Sequence, residues 1–329
     1  DTAVTQVKTV YGDGLRNVIV ANSKGFCAED TRETIIFVVQ GLVARDSIME
    51  TGYESIGGMK GFELLDEISP EEVARRAIGR ALRTVKARKA PAGIMPVVLS
   101  SEAGGTMVHE AIGHGLEADL AGEGVSVYSG KIGQQVASRF ITVIDDGSIA
   151  GLRGSMGYDD EGTPSQKTIL VENGVLKTYM TDMITSLKFN LPLSGNGRRE
   201  SYRNRPVPRM TNTMIAPGDT PPEEIIRKVA KGIFVKKMGG GQVNTVTGDF
   251  VFNVSEGYLL ENGSVGEPIR GATLIGNGPK ILNSIEYVGS DLGFGIGTCG
   301  KDGQGVPVAD AQPTLLIPEI TIGGEVRNE

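Results

Sequence analysis

The 329 residues are 39% hydrophobic and 22% charged, which excludes a disordered or collagen-like chain and is enough for two domains with cores of their own. A net charge of −7 repels phosphate backbones, and with no dominant basic patch to offset it nucleic acid is not an expected partner. Two Cys are too few for a disulfide scaffold, the longest apolar run (residues 35–44) is well short of the roughly 18 residues that span a membrane, and no basic-then-apolar secretory pattern opens the chain, so a cytoplasmic protein without membrane association is expected.

The chain begins at Asp1 without Met, so a processed or truncated form is expected. Residues 16–45 read as strands: Asn17-Val18-Ile19-Val20-Ala21, a Ser23-Lys24-Gly25 turn, then β-branched and aromatic residues from 31 to 43. This predicts a small β-meander. Ser69-Pro70-Glu71-Glu72 combines an N-cap, Pro at the first helical position and Glu at the third, and Val73, Ala77, Ala81 and Val85 follow at helical spacing. A helix over 70–88 follows from that. Lys89-Ala90-Pro91-Ala92-Gly93 then breaks the pattern and separates a 1–92 α+β unit, incomplete at its N-terminus, from a 93–329 domain. In the second unit a short buried strand (94–99) and a loop (100–105) lead to helix-compatible residues 106–116. Beyond them the pattern is mostly β, with hairpins expected at Asp146-Gly147, Asn173-Gly174 and Asn262-Gly263. Thr220-Pro221-Pro222-Glu223 repeats the capping arrangement, with Ile225, Ile226 and Val229 as the apolar face and Gly232 as the stop. The class is α+β: a meander and helix, then a larger, mainly antiparallel β domain that carries the 106–116 helix.

That helix holds both histidines of the chain, in His109-Glu110-Ala111-Ile112-Gly113-His114. Neutral imidazole is a common zinc ligand, and a carboxylate beside a ligand can take a proton from metal-activated water. In the usual His-Glu-x-x-His helix the ligands are four residues apart; here they are five apart, or about 140° around a regular helix. The rings converge on one ion only if the helix makes a π-type turn or ends early, and Gly113 is read as relaxing the backbone for it. A catalytic zinc needs a third protein ligand. Cys299, in the small-residue stretch Gly295-Ile296-Gly297-Thr298-Cys299-Gly300-Lys301, is the leading candidate, with Lys301 helping to keep its sulfur ionised. Glu117 and Asp119 are rivals by proximity, whereas Cys27 reads as a small buried hydrophobe. The Gly-x-Gly-x-x-Gly from Gly295 to Gly300 is accidental, because Pro307, Pro313 and Pro318 leave no room for the helix a dinucleotide site requires.

Val108-His109-Glu110-Ala111-Ile112-Gly113-His114-Gly115-Leu116-Glu117, Gly239-Gly240-Gly241-Gln242-Val243 and the run from Gly297 to Val308 resemble the TldD/PmbA family, once called modulators of DNA gyrase, and within it the branch that carries the zinc motif. Arg205-Pro206-Val207-Pro208-Arg209-Met210-Thr211-Asn212-Thr213 and Asp159-Asp160-Glu161-Gly162-Thr163-Pro164 also look like its signatures. The resemblance covers nearly all of 93–329 and, more weakly, the residues before. It implies a zinc metallopeptidase acting on unfolded or leader-type peptides, with His109, His114 and Cys299 holding Zn²⁺, Glu110 as general base, and a related TldE/PmbA-like subunit or a second copy of the chain as dimer partner. A non-catalytic subunit that zinc merely staples together is the alternative, favoured by a fourth protein ligand. A metal-assisted amide hydrolase for small molecules is a third reading, and it predicts an enclosed pocket.

Arg198, Arg199, Arg203, Arg205 and Arg209 crowd one stretch with Tyr202; one of them could stabilise an oxyanion, against a solvated basic surface or interfacial ion pairs. Asp159-Asp160-Glu161 lacks the alternating ligands of a calcium loop and reads as an exposed turn. Gly239-Gly240-Gly241 reads either as a close approach to substrate or as a flexible connector. The β-rich pattern leads us to expect an extended peptide adding a strand to a sheet edge.

Overall fold

The computed structural model describes residues 1–23 and 25–324; Lys24 of the expected turn lies outside the described residues. The meander is longer than the sequence pattern suggests: β1 (Val4–Ala21), β2 (Cys27–Arg45) and β3 (Ile48–Gly58) form an antiparallel sheet in that order. β3 is not part of the expected pattern, and it contains Gly52, Gly57 and Gly58, residues that weaken a strand. Their task is packing. A Cβ at Gly52 would overlap the Ala77 carbonyl, so glycine lets α2 (Pro70–Thr84) lie directly on the sheet. Val73, Ala77 and Ala81 of α2 pack against Ile35, Val39 and Val43 of β2, which share one face by the period-2 alternation of a strand. Ser69 caps α2 as expected, accepting from the Glu72 N–H. The helix ends at Thr84 rather than 88, because Arg88 and Lys89 are drawn into parallel pairing with Ile269 and Arg270. Arg80, buried on α2, ties the meander to the rest through Glu54 (2.7 Å) and Glu256 (2.9 Å).

Beyond residue 92 two sheets, mainly antiparallel, build the larger core. In one, Lys231–Val243 pairs with both Gly93–Leu99 and Asp249–Glu261, and with Leu315–Gly323 and Thr273–Asn277 the strands close into a five-membered ring. Phe250 and Phe252, stacked at 4.6 Å, lie in its core. The other sheet runs Gly293–Lys301, Gln304–Gln312, Asn212–Ile215, Val143–Asp146, Lys167–Glu172 and Val175–Leu176, with one parallel pair between residues 212–214 and 309–311. The motif helix is wedged against these sheets.

Asn173-Gly174 and Asn262-Gly263 are tight hairpin turns with both residues at positive φ, as a type I′ turn requires. Asp302-Gly303 forms a third that the sequence reading overlooked. Asp146-Gly147 does not. Neither residue takes positive φ; the Asp146 carboxylate accepts from the Ser148 N–H at 2.9 Å, and residues 147–166 wander before the chain returns to pair. The helix after Thr220 is also shorter than expected, Pro222–Arg227 with no side-chain cap. Its continuation is pre-empted because Lys231 and Gly232 already pair as a strand with Glu261 and Leu260. Among the described residues no helix is long and apolar enough to cross a membrane.

Candidate metal centre

The motif segment is three kinds of helix in succession: one α-turn (Thr106–Val108), a π-turn (His109–Gly113) and a 3₁₀ turn (His114–Leu116). The π-turn supplies the rotation that a spacing of five demands, and it brings the imidazole centroids to 4.8 Å with their planes at 88°. Widening the turn disturbs the backbone bonding, and the buried Tyr128 hydroxyl compensates by donating to the Ala111 carbonyl at 2.9 Å. Gly113 is not where the helix relaxes: its φ and ψ are ordinary helical values, and a Cβ there would overlap the Met210 sulfur. Its role is to admit Met210.

Cys299 arrives from the strand Gly293–Lys301, buried, with its Sγ 3.7 Å from His114 Nε2. The donor atoms of His109, His114 and Cys299 all lie within 4.8 Å of one another, and no other such group of three occurs among the described residues. Each imidazole is oriented from behind by a carboxylate: His109 Nδ1–H donates to Asp310 at 2.9 Å and His114 Nδ1–H to Glu117 at 3.0 Å. That leaves Nε2 of each ring for the sulfur side. Glu117 therefore stands behind a histidine rather than beside it as a rival donor. Asp119 is likewise committed, accepting from Lys301 Nζ at 2.7 Å. Lys301 does not serve the sulfur either. Its ammonium sits between Asp119, Glu117 and the Pro208 carbonyl.

Burial opposes a charge on either ring, yet Asp310 holds His109 well above the usual imidazole value, and Glu117 raises His114 to about 10. Burial alone would raise the Cys299 thiol, but hydrogen bonds from the two histidines bring it down to about 6. The two rings and the sulfur thus favour one another's charged forms. A divalent ion would take the place of those protons, and two imidazoles with one thiolate are a donor set suited to zinc.

Glu110 is half-buried on the same π-turn, and no described residue hydrogen-bonds or ion-pairs with its carboxylate. The arginines divide. Arg198 and Arg209 are buried and donate to main-chain carbonyls, Arg198 to Met210 and Pro307, Arg209 to Cys299 at 2.5 Å, so they brace the strands around the thiol rather than form a solvated basic surface. Tyr202 is exposed and paired with Arg203.

Asp159-Asp160-Glu161 is not an exposed turn. Asp159 is buried, accepting from the Thr163 and Gly197 N–H groups, and Asp160 receives Arg32 at 2.8 Å. Burial, with Asp182 and the two neighbouring aspartates, pushes Glu161 up to about 7. Because the folded state holds that proton more tightly than the unfolded one, Glu161 costs stability progressively as pH rises from about 4.5 to about 7. Glu161→Gln keeps an acceptor for the Met183 N–H and removes the titration. Its unfolding free energy should match the parent at pH 4.5 and exceed it by about 1 kcal/mol at pH 8, the partial exposure screening the rest. Denaturant melts at the two pH values check this; equal values at pH 8 refute it.

Asp310, Tyr128 and the buried Arg198 and Arg209 carry much of the site's architecture. Of these, Asp310 left a readable signal, a lone carboxylate in the apolar strand stretch Val306-Pro307-Val308-Ala309-Asp310-Ala311.

A family model described as the PmbA/TldA metallopeptidase C-terminal domain matches residues 92–324, and one described as the central domain of the same family matches residues 1–85. A metalloprotease TldD homolog of Haemophilus influenzae is 42% identical over 331 residues, spanning 98% of this chain and 69% of its own length. A zinc metalloprotease TldD homolog of Saccharolobus solfataricus is 32% identical over 286 residues, 87% of this chain and 64% of its own. Among solved structures, a Thermotoga maritima protein described as a modulator of DNA gyrase superposes with a TM-score of 0.82 at 24% identity, covering 98% of this chain and 70% of that one. TldE from Thermococcus kodakarensis gives 0.74 at 19% identity over 92% and 66%. At these identities the structural matches speak for the fold alone.

Proposed function

Since the chain belongs to the PmbA/TldD metallopeptidase family, we propose that it is a zinc-dependent peptidase acting on unfolded or leader-type peptides, with His109, His114 and Cys299 as the metal ligands and Glu110 as the general base. The observation that carries this reading is the convergence of three donors, and only three, among the described residues. Three is the number of protein ligands a catalytic zinc uses, against four for a structural staple. Bound zinc would supply Lewis acidity, polarising a carbonyl and acidifying water. Glu110, with no other described partner, would take the proton from water and return it to the leaving amine. Asp310 and Glu117 would hold the imidazoles in place throughout.

We also read residues 1–92 and 93–329 as separate units, and the protein as pairing with a TldE/PmbA-like subunit or with itself. What supports a partner is the apolar side of β1, where Leu15 and Ile19 are 65% and 68% exposed. The test of the main reading is metal dependence. Stripping the chain with a chelator should abolish cleavage of a disordered peptide, and stoichiometric zinc should restore it. Cleavage indifferent to the chelator, or a fully zinc-loaded chain that cuts no peptide in any pairing, overturns it.

A further inference from the structure

The strand that carries Cys299 has a second face. Thr298, next along the strand and so pointing the other way, lines a cavity of about 410 Å³ between that sheet and β1–β2. Five arginines line it: Arg16, Arg32, Arg153, Arg198 and Arg199. The carboxylates in its wall are Asp160 and Glu200, and both are engaged, Asp160 by Arg32 and the Arg199 N–H, Glu200 by the Gly305 N–H. Only Arg32 is neutralised, by Asp30 and Asp160.

The other four have no carboxylate within ion-pairing distance among the described residues. Arg16 donates to the Glu200 carbonyl at 3.1 Å, Arg153 to the Gly297 carbonyl at 3.3 Å and Arg198 to two carbonyls, while no described residue hydrogen-bonds the Arg199 guanidinium. Burial lowers the pKa of Arg153, and it brings Arg198 down to about 10 although Asp160 and Asp145 pull the other way. In a chain of net charge −7, such a gathering of cations in one concavity costs folding energy unless something anionic offsets it. Guanidinium forks match the paired oxygens of carboxylate and phosphate, and the volume lies in the range of small-ligand sites.

The geometry points to an oxyanion-binding site in this cavity, on the sheet face opposite the metal ligands, for a ligand that presents a carboxylate or phosphate group. The site is separate from the peptidase reading and stands or falls without it.

The test is calorimetric titration of the whole chain, with and without zinc at fixed ionic strength, using glutarate, inorganic phosphate and, as the uncharged control, glutaramide. At least one oxyanion should bind saturably in both metal states, glutaramide should not, and Arg153→Gln with Arg199→Gln should weaken binding about tenfold or more. Arg199→Gln alone, which removes no bond made within the protein, should still weaken it several-fold, and Arg75→Gln on the exposed side of α2 should leave it unchanged. Tighter glutarate identifies a carboxylate ligand and tighter phosphate a phosphorylated one. The proposal is overturned if neither anion binds saturably, if binding disappears with the metal, or if the double variant binds as the parent does.

Discussion

Glu110→Gln should lose about 10²- to 10⁴-fold in kcat while its zinc content and melting temperature stay at the parent's values. Gln has the shape of Glu and lacks only the capacity to accept a proton. Because Glu110 is half-buried on the π-turn and tied to no other described residue, removing its charge breaks nothing that holds the fold. The separation of effects is the point. Cys299→Ser should instead lose the metal first and activity as a consequence, since a hydroxyl at that position replaces a thiolate that both histidines favour. Metal content by elemental analysis and turnover of a disordered peptide, measured on the same preparations, distinguish the two. Were Glu110→Gln to lose zinc in step with activity, Glu110 would be a ligand or a structural residue. Were it to retain full turnover, proton transfer would have to start elsewhere.

The motif was legible because its chemistry leaves a sequence signal, whereas its support is mostly invisible there. A spacing of five between His109 and His114 is incompatible with convergence on a regular helix, so it demanded a distortion, and the π-turn is that distortion. Gly113 shows where such inference fails. Glycine can be selected for its φ or for its missing Cβ, and a sequence does not say which; here the backbone is ordinary and Met210 needs the space. Lys301 failed in a related way. It shares a strand face with Cys299, as period-2 alternation requires, but a long side chain goes to its best partners, and Glu117 and Asp119 outcompete a sulfur already served by two imidazoles. In the fold, α2 and the Asn-Gly turns were readable because capping and φ > 0 are local requirements. β3 and the short end of the Pro222–Arg227 helix were not, since one depends on glycines that make room for α2 and for neighbouring main chain and the other on strand pairing of Lys231 and Gly232 with Glu261 and Leu260.

That kind of non-local demand is sharpest at Gly105, and Gly105→Ala should be the most damaging conservative change near the site. Gly105 precedes the α-turn that leads into His109, and its N–H donates to the Asp310 carbonyl at 3.2 Å. Its φ of −80° suits any residue, so no strain is relieved by glycine. Space is the whole reason: a Cβ at this position would overlap the main chain of Asp310 and Ala311, which cannot rotate away as a side chain could. Accommodating one methyl group must therefore move the motif segment off the strand Gln304–Gln312. The strand is held by its pairing with Gly293–Lys301 and Asn212–Ile215, so the segment yields first. We expect a loss of about 3 kcal/mol or more, at the upper end for overpacked cores, read as a lower denaturant midpoint. Separation also stretches the 2.9 Å contact between His109 and Asp310, so zinc affinity should fall together with stability. Gly240→Ala, where a Cβ meets only open space, should show neither effect under the same measurements. If Gly105→Ala melts with the parent and binds zinc as tightly, the close seating of the motif segment on Asp310 is not what sets the geometry of the histidines.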